Sequence, residues 1–213
     1  MTIKSFGCSF MWGSEMPDEV PIHSFSKLTW PALLADYQQV SYQCYAQGGA
    51  GNLYIAERVL TQAALPNPGM FIINWTFIDR FDYNDPYNDL IWHTCRPGET
   101  DANSDFYYRN FHSQLRDKLT TLMYINLCIE TLQKKQIPFI MTAMDNLIFE
   151  TKWHATPGIR DIQENIKTHI FDFDGYNFVD WAAGHGHAIT PQGHLLNSGH
   201  RACFEYIKNV KQI

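Results

Sequence analysis

Short apolar runs along the chain alternate with stretches in which apolar residues recur at spacings of three and four. Runs of the first kind predict buried β-strands, and stretches of the second kind predict amphipathic helices. The predicted strands are residues 3–6, 40–45, 70–75, 138–143 and 177–181. Alternation of strands with helices indicates βαβ units around a parallel sheet, so the pattern predicts an α/β fold.

Capping and turn residues place the predicted helices. Thr29 and Pro31 favour a helix that starts at Trp30, because proline lacks the N–H that a first helical turn leaves unpaired. The glycine-rich run 48–51 leads to Asn52, a residue type that caps helices. Further helices are predicted over 106–136, over 161–170 and from about 197 to 210.

Residues 76–105 show neither the apolar runs of strands nor the three- and four-residue spacing of helices, and they are rich in Asp, Asn, Pro and aromatic residues. Loops of this length are uncommon inside compact domains and are commonly binding loops or lids. We therefore expect one domain over residues 1–213, with this long loop inserted at the carboxyl end of the sheet.

Composition narrows the class of protein. The 213 residues are 45% apolar and 15% aromatic, enough for one packed core, and the net charge of −6 argues against a nucleic-acid partner. The amino terminus turns polar after a few residues, and no apolar run approaches the roughly 18 residues of a membrane helix. The sequence therefore predicts no signal peptide, no membrane association and a cytoplasmic location, and it carries no signal for an oligomeric state.

Cysteine and histidine spacing gives no sign of a metal or another cofactor. His185 and His187 are flanked by glycines and have no carboxylate or thiolate at ligand spacing. Reduced thiols are expected, because five cysteines without a CxxC pair fit neither a disulfide framework nor a zinc ribbon. They are Cys8, Cys44, Cys95, Cys128 and Cys203.

Ser9 and His194 are candidates for nucleophile and base. A serine hydroxyl is a poor nucleophile until a base takes its proton, and imidazole titrates near neutral pH. Ser9 follows the first strand and His194 precedes the last helix, so both are expected at the edge formed by the carboxyl ends of parallel strands. The alternative for Ser9 is a turn or helix-cap hydroxyl. Cys8 is expected to point the opposite way, into the core.

Five short motifs in order resemble the SGNH/GDSL hydrolase family across nearly the whole chain. They are Gly7-Cys8-Ser9, Trp30-Pro31, Gly48-Gly49-Ala50-Gly51-Asn52, Trp75-Thr76 with Arg80-Phe81, and His194 with Gly199-His200. The resemblance implies a three-layer α/β/α sandwich whose five-stranded parallel sheet has the flavodoxin-like order 2-1-3-4-5. It also implies that Ser9 is the nucleophile and His194 the base.

The resemblance assigns an oxyanion hole to the Ser9 N–H, the Gly49 N–H and a polar side chain after the third strand. The family's Gly-x-Asn-Asp block is altered here, since Asn74 and Thr76 occupy the positions of its Gly and Asn. The third donor is thus either Asn74 or Thr76.

The acid that usually precedes the histidine by two or three residues in this family is missing, because Pro191 and Gln192 stand there. Gln192 and Asp180 are the candidates for orienting His194, and a Ser-His dyad is the further alternative. Loss of a charged orienting group can cost orders of magnitude in rate.

Arg80 and Trp75 are candidate substrate-binding residues. Arg80 is expected to pair either with an acidic group of the substrate or with Asp79 or Asp82. The aromatic residues near Trp75 favour stacking on a sugar, although burial is the common fate of aromatic side chains. His200 is expected to pack or cap rather than act as the base.

The sequence predicts a serine hydrolase that needs no cofactor and cleaves a small ester, either a carbohydrate O-acetyl group or a short acyl ester. The main alternative is a binding protein that keeps this fold without turnover. A nucleotide-binding protein that uses the 48–52 loop for phosphate is a more distant alternative.

Overall fold

A computed structural model describes residues 1–20 and 23–212. Its strands are β1 (Thr2–Phe6), β2 (Ser41–Cys44), β3 (Met70–Trp75), β4 (Phe81–Asp85), β5 (Asn88–Cys95) and β6 (Phe139–Ala143). The central sheet has the order β2-β1-β3-β6, and every pairing in it is parallel. The α/β fold with a parallel sheet is therefore confirmed.

Helices cover both faces of the sheet. They are α1 (Ser9–Trp12), α2 (Trp30–Tyr37), α3 (Asn52–Ala64), α4 (Ala102–Asn110), α5 (Gln114–Lys134), α6 (Pro157–Lys167), α7 (Phe178–Gly184) and α8 (Asn197–Lys211). Alternate strand residues face opposite layers: Ile72 packs with α2, α7 and α8, whereas Phe71 and Ile73 pack with α3, α5 and α6. Within the described ranges, no helix combines the length and the hydropathy that a bilayer-spanning segment needs.

The prediction of a fifth strand, and with it the five-stranded order, is wrong. Residues 177–181 instead begin helix α7, because the Asn177 side chain accepts hydrogen bonds from the backbone N–H groups of Val179 (3.1 Å) and Asp180 (2.8 Å). This cap outweighs the weak strand propensity of the segment. Beyond β6 the sheet continues only as an isolated parallel bridge between Met141 and Ile170.

The segment expected to be a long loop contains regular structure. Strands β4 and β5 form an antiparallel hairpin within residues 76–105. The helix predicted over 106–136 is divided into α4 and α5, because the Ser113 hydroxyl accepts the Arg116 N–H (3.4 Å) and caps a new helix.

The hairpin is joined to α3 by one buried carboxylate. Asp82 on β4 is 4% exposed and accepts hydrogen bonds from the N–H groups of Gly51 (2.8 Å) and Tyr54 (2.9 Å) and from the Thr94 hydroxyl (2.6 Å). Because Gly51 is the N-cap residue and has no side chain, Asp82 takes the place of a capping residue. This contact fixes the 48–51 loop relative to the sheet.

Replacing Gly51 by alanine should destabilise the fold. The added methyl group would lie 2.6 Å from Asp82 Oδ2, and that carboxylate is held on three sides. We expect Gly51→Ala to lower the free energy of unfolding by about 1–3 kcal/mol, as overpacking commonly does. Urea denaturation measures the change.

Gly158→Ala is the matched control, because nothing lies within 4 Å of the added group in the first turn of α6. This variant should be neutral or gain up to about 1 kcal/mol from helix propensity. Equal stabilities for the two variants would contradict the role given to Asp82.

Candidate active site

Three loops meet at the carboxyl end of the sheet and enclose a cavity of about 590 Å³. The turn after β1 supplies Ser9, the turn after β2 supplies Gly49, and the loop before α8 supplies His194. The side chains and backbone that line the cavity include Ser9, Phe10, Ser14, Gly49, Phe77, Arg80, Arg96, Asp180, Gln192 and His194. The expected convergence of Ser9 and His194 on one edge of the sheet is thus present in the geometry.

Ser9 lies at the start of α1 and is 9% exposed. Its neighbour Cys8 is fully buried and accepts a hydrogen bond from the Thr76 hydroxyl (3.3 Å), so the thiol is directed into the core as expected. Among the described residues, the Ser9 hydroxyl has no hydrogen-bond partner. The Ser9 hydroxyl is therefore not used in a hydrogen bond that stabilises the fold.

His194 lines the same cavity as Ser9 and is held there by packing and by its own loop. Its ring packs edge-on against Phe10 with centroids 5.3 Å apart, and its side chain is 12% exposed. Within the loop, the His194 N–H donates to the Thr190 hydroxyl (3.1 Å) and the Thr190 N–H donates to the His194 carbonyl (2.8 Å). These contacts set the direction of the imidazole.

The carboxylate beside His194 comes from Glu15, a residue that the sequence did not indicate. Glu15 Oε2 lies 2.5 Å from His194 Nδ1, although 179 residues separate them. A carboxylate only accepts hydrogen bonds, so in the neutral imidazole the proton belongs on Nδ1 and the lone pair on Nε2. This is the protonation state that a general base requires.

The two orienting residues expected from the sequence do not occupy this position. Gln192 and Asp180 line the cavity, but the His194 Nδ1 contact belongs to Glu15. The Asp180 carboxylate instead accepts a hydrogen bond from the Asn177 amide (2.7 Å) at the start of α7. Asp180 is engaged there because residues 177–181 are helical rather than extended.

Several donors hold the Glu15 carboxylate in its ionised form. The Thr190 hydroxyl donates to Oε2 (2.5 Å) and lowers the pKa of Glu15, and the His194 ring lowers it further. The Glu15 backbone has a left-handed φ of 65°, and its N–H donates to the Glu19 carboxylate (2.7 Å). A φ of this sign is unfavourable for glutamate, and the Glu19 contact helps to maintain it.

Two backbone N–H groups are available as oxyanion donors. Among the described residues, neither the Ser9 N–H nor the Gly49 N–H has an acceptor, and both residues line the cavity. Gly49 has a φ of 79°, a conformation that favours glycine.

The third donor expected from the sequence does not line the cavity. Thr76 is fully buried, and its hydroxyl is committed to Cys8. Asn74 is also fully buried, and its Oδ1 accepts from the Thr142 hydroxyl (2.8 Å), but its Nδ2 has no acceptor among the described residues. Of the two, only Asn74 retains a free donor.

The remaining candidates differ in their access to the cavity. Arg80 lines it and forms no ion pair with Asp79, Asp82 or any other described carboxylate. Trp75 is fully buried in the layer next to α3 and α5, so it cannot contact a substrate. Its side chain points inward because β3 is covered on both faces.

His200 is structural, as expected. It is 1% exposed, and its Nδ1 accepts the Trp30 N–H (3.4 Å). Burial lowers the pKa of His200 to about 3, which keeps the ring neutral. A neutral acceptor of this kind ties α8 to α2 and has no access to the cavity.

A scan of protein-family models and a search of curated protein sequences find no match. Solved structures do match in fold. The psychrotrophic esterase EstA from Pseudoalteromonas sp. is 13% identical, with 99% of this chain and 97% of that chain covered and a TM-score of 0.55. A lipolytic G-D-S-L family protein from Veillonella parvula is 13% identical, with 98% and 97% covered and a TM-score of 0.52.

The acetyl xylan esterase AlAXEase matches with 12% identity, with 99% of both chains covered and a TM-score of 0.52. These likenesses extend over the full described chain. They show that the chain shares the α/β fold of these solved structures, which agrees with the resemblance at the level of the fold.

The hydrogen bond from the Thr190 hydroxyl should have a measurable effect on the pKa of Glu15. The pKa of Glu15 should lie below its ordinary value of 4.5, because Thr190 and His194 both donate to the carboxylate. Thr190→Val removes the larger of these effects and should raise the pKa of Glu15. Carbon-13 NMR titration of the side-chain carboxylates reads both values.

Thr61→Val is the control, since its hydroxyl donates to Glu57 (2.8 Å) at the surface of α3 and should leave Glu15 unchanged. A Glu15 pKa at or above 4.5 in the unaltered protein would show that the contact is absent in solution.

Proposed function

We propose that this protein is an ester hydrolase in which Ser9 is the nucleophile, His194 the general base and Glu15 the carboxylate that orients it. The observation that carries the proposal is the contact between Glu15 and His194, a residue that lines the same cavity as Ser9. A nucleophile, a base and an orienting group in sequence-distant loops are the constellation that acyl transfer needs.

The reaction follows from the positions of these groups. His194 Nε2 takes the proton of the Ser9 hydroxyl as the oxygen attacks the ester carbonyl, and a tetrahedral intermediate forms. His194 then returns the proton to the alcohol oxygen, which leaves, and an acyl group remains on Ser9. Water enters, gives its proton to His194 and attacks the acyl carbon, which releases the acid and restores Ser9.

Negative charge on the carbonyl oxygen is stabilised by the N–H groups of Ser9 and Gly49. Each well-placed donor contributes roughly 3 kcal/mol to lowering such a barrier. Asn74 Nδ2, which is buried without an acceptor among the described residues, is the third donor that we favour. Using it requires a small change in side-chain or loop position when substrate binds.

A Ser-His dyad was considered because the usual acid before the histidine is missing, and Glu15 supplies a carboxylate in its place. A carboxylate against Nδ1 stabilises the imidazolium that forms when His194 takes the proton, which Gln192 as a neutral group would not do. The pair is partly open to solvent, since the His194 side chain is 12% exposed and the Glu15 side chain 32% exposed. A binding protein without turnover was suggested by the apparent lack of this acid and by the altered block at Asn74 and Thr76, and Glu15 answers the first of these two arguments.

A phosphate-binding role for the 48–52 loop is disfavoured. The Gly51 and Tyr54 N–H groups, which a phosphate at the start of α3 would use, already donate to the Asp82 carboxylate. A second anion at this point would meet the charge of Asp82.

The size of the cavity favours a small ester. About 590 Å³ falls within the usual range for small-molecule sites. The structural neighbours include an esterase and an acetyl xylan esterase. We therefore propose a short acyl ester or a carbohydrate O-acetyl group as substrate.

A fluorophosphonate probe tests the proposal. The folded protein should be labelled at one site, on Ser9, and should hydrolyse 4-nitrophenyl acetate, because an activated serine attacks both reagents. Ser9→Ala should lose labelling completely and lower kcat/KM by at least about 10³, in line with loss of a nucleophile.

Ser14→Ala is the matched control, since Ser14 lines the same cavity and, among the described residues, its hydroxyl makes no hydrogen bond to His194 or Glu15. Intact mass spectrometry and peptide mapping locate the label. No labelling of the folded protein, or equal hydrolysis by the Ser9→Ala variant, would reject the proposed function.

A further inference from the structure

Two arginines stand on the same side of the candidate active site. Arg80 follows β3 and Arg96 follows β5, and both line the cavity that holds Ser9. Both also line an adjoining groove of about 510 Å³, together with Phe77, Pro97 and Gly98. The two guanidinium groups therefore lie where the catalytic cavity opens into this groove.

Arg80 is half-buried and positioned by its surroundings. Its Nη1 donates to the Ala50 carbonyl (2.9 Å), and its Cζ lies 5.0 Å from the centre of the Phe77 ring. Of its five N–H donors, only this one has an acceptor among the described residues. The side chain is thus fixed in place while most of its donors remain available to a ligand, and its charge also acts on the Asp79 and Asp82 carboxylates.

Arg96 lies directly over the candidate oxyanion loop. A methyl group added at Gly49 would be 3.0 Å from Arg96 Nη1, so the guanidinium covers this glycine. Its other terminal nitrogen donates to Glu99, but this ion pair is partly exposed, with the Arg96 side chain 45% accessible. Exposed pairs of this kind contribute little free energy and exchange readily for another anion.

We propose that these two arginines bind an anionic group of the substrate, so that the ester carries a carboxylate or a similar oxyanion close to the scissile bond. This inference rests on the proposed ester hydrolysis and names its substrate class. Guanidinium groups match planar oxyanions with paired hydrogen bonds, which a neutral sugar or acyl chain does not offer.

Carboxylates near the arginines limit the range of ligands. Asp180 lines the catalytic cavity, and Asp79 and Glu99 line the adjoining groove. The site therefore selects one anionic group that reaches both guanidinium groups, rather than polyanions in general. Sequence reasoning found Arg80 but not Arg96, because Arg96 approaches Gly49 only through the β4–β5 hairpin.

Matched aryl acetates test the inference. The substrates are 4-acetoxybenzoate and its uncharged analogue 4-acetoxybenzamide, with 4-acetoxyphenyl phosphate as a second anion. For the unaltered protein, kcat/KM should be at least tenfold higher for an anionic ester than for the amide. The preferred anion shows whether the site takes carboxylate or phosphate.

In the double variant Arg80→Gln and Arg96→Gln, the ratio of kcat/KM between anionic and neutral esters should fall at least tenfold. Arg160→Gln is the control, because Arg160 is exposed on α6, remote in the fold from the cavity lining, and should keep the ratio. A ratio near one in the unaltered protein, or an unchanged ratio in the double variant, would overturn the inference.

Binding to a Ser9→Ala protein separates this inference from the proposed function. Calorimetry should show that 4-acetoxybenzoate or 4-acetoxyphenyl phosphate binds Ser9→Ala at least tenfold more tightly than it binds Ser9→Ala with both arginine changes. Such binding without any Ser9-dependent hydrolysis in the unaltered protein would support the anion site and reject the hydrolase. Ser9-dependent hydrolysis with no difference in binding or in the kcat/KM ratio would support the hydrolase and reject the anion site.

Discussion

The hydrogen-bonded pair of Glu15 and His194 is the interaction on which the rest of the site depends. It joins the segment after the first helix to the loop before the last one, 2.5 Å apart at the carboxylate and the ring nitrogen. The Thr190 hydroxyl, which donates to the same carboxylate, and the packing of the His194 ring on Phe10 support it. In the neutral imidazole, the contact places the proton on Nδ1 and leaves Nε2 as the base.

A second fixed contact involves the loop that carries Gly49. Asp82 accepts hydrogen bonds from the N–H of Gly51, at the end of the 48–51 loop, and from the N–H of Tyr54 in α3, and the hairpin that carries Asp82 also carries Arg96 to Gly49. The segment that interrupts the βαβ pattern is therefore part of the site. Arg80 and Arg96 line the same cavity as Ser9 and His194.

The sequence correctly predicted the strands that are continuous apolar runs, because a strand that is buried on both faces consists mostly of apolar residues. It failed at residues 177–181, where one asparagine cap makes a helix, and across the β4–β5 hairpin. Ser9 and His194 were found through short motifs at the ends of β1 and before α8. Glu15 and Arg96 were not predicted, because the spacing of residues along the sequence does not show which distant loops come into contact. Only the folded chain brings Glu15 to His194 and Arg96 to Gly49.

The most direct test compares Glu15→Gln, at the His194 contact, with Asp180→Asn, at the cavity lining, since each replaces one carboxylate by its amide. If Glu15 orients the base and stabilises its charge, Glu15→Gln should lower kcat for 4-nitrophenyl acetate by roughly 10²–10⁴, the range typical for loss of a triad carboxylate. Asp180→Asn should change kcat by less than about fivefold, because Asp180 is exposed and its hydrogen bond is to Asn177 rather than to His194. Near-normal kcat in Glu15→Gln, or the larger loss in Asp180→Asn, would contradict the account.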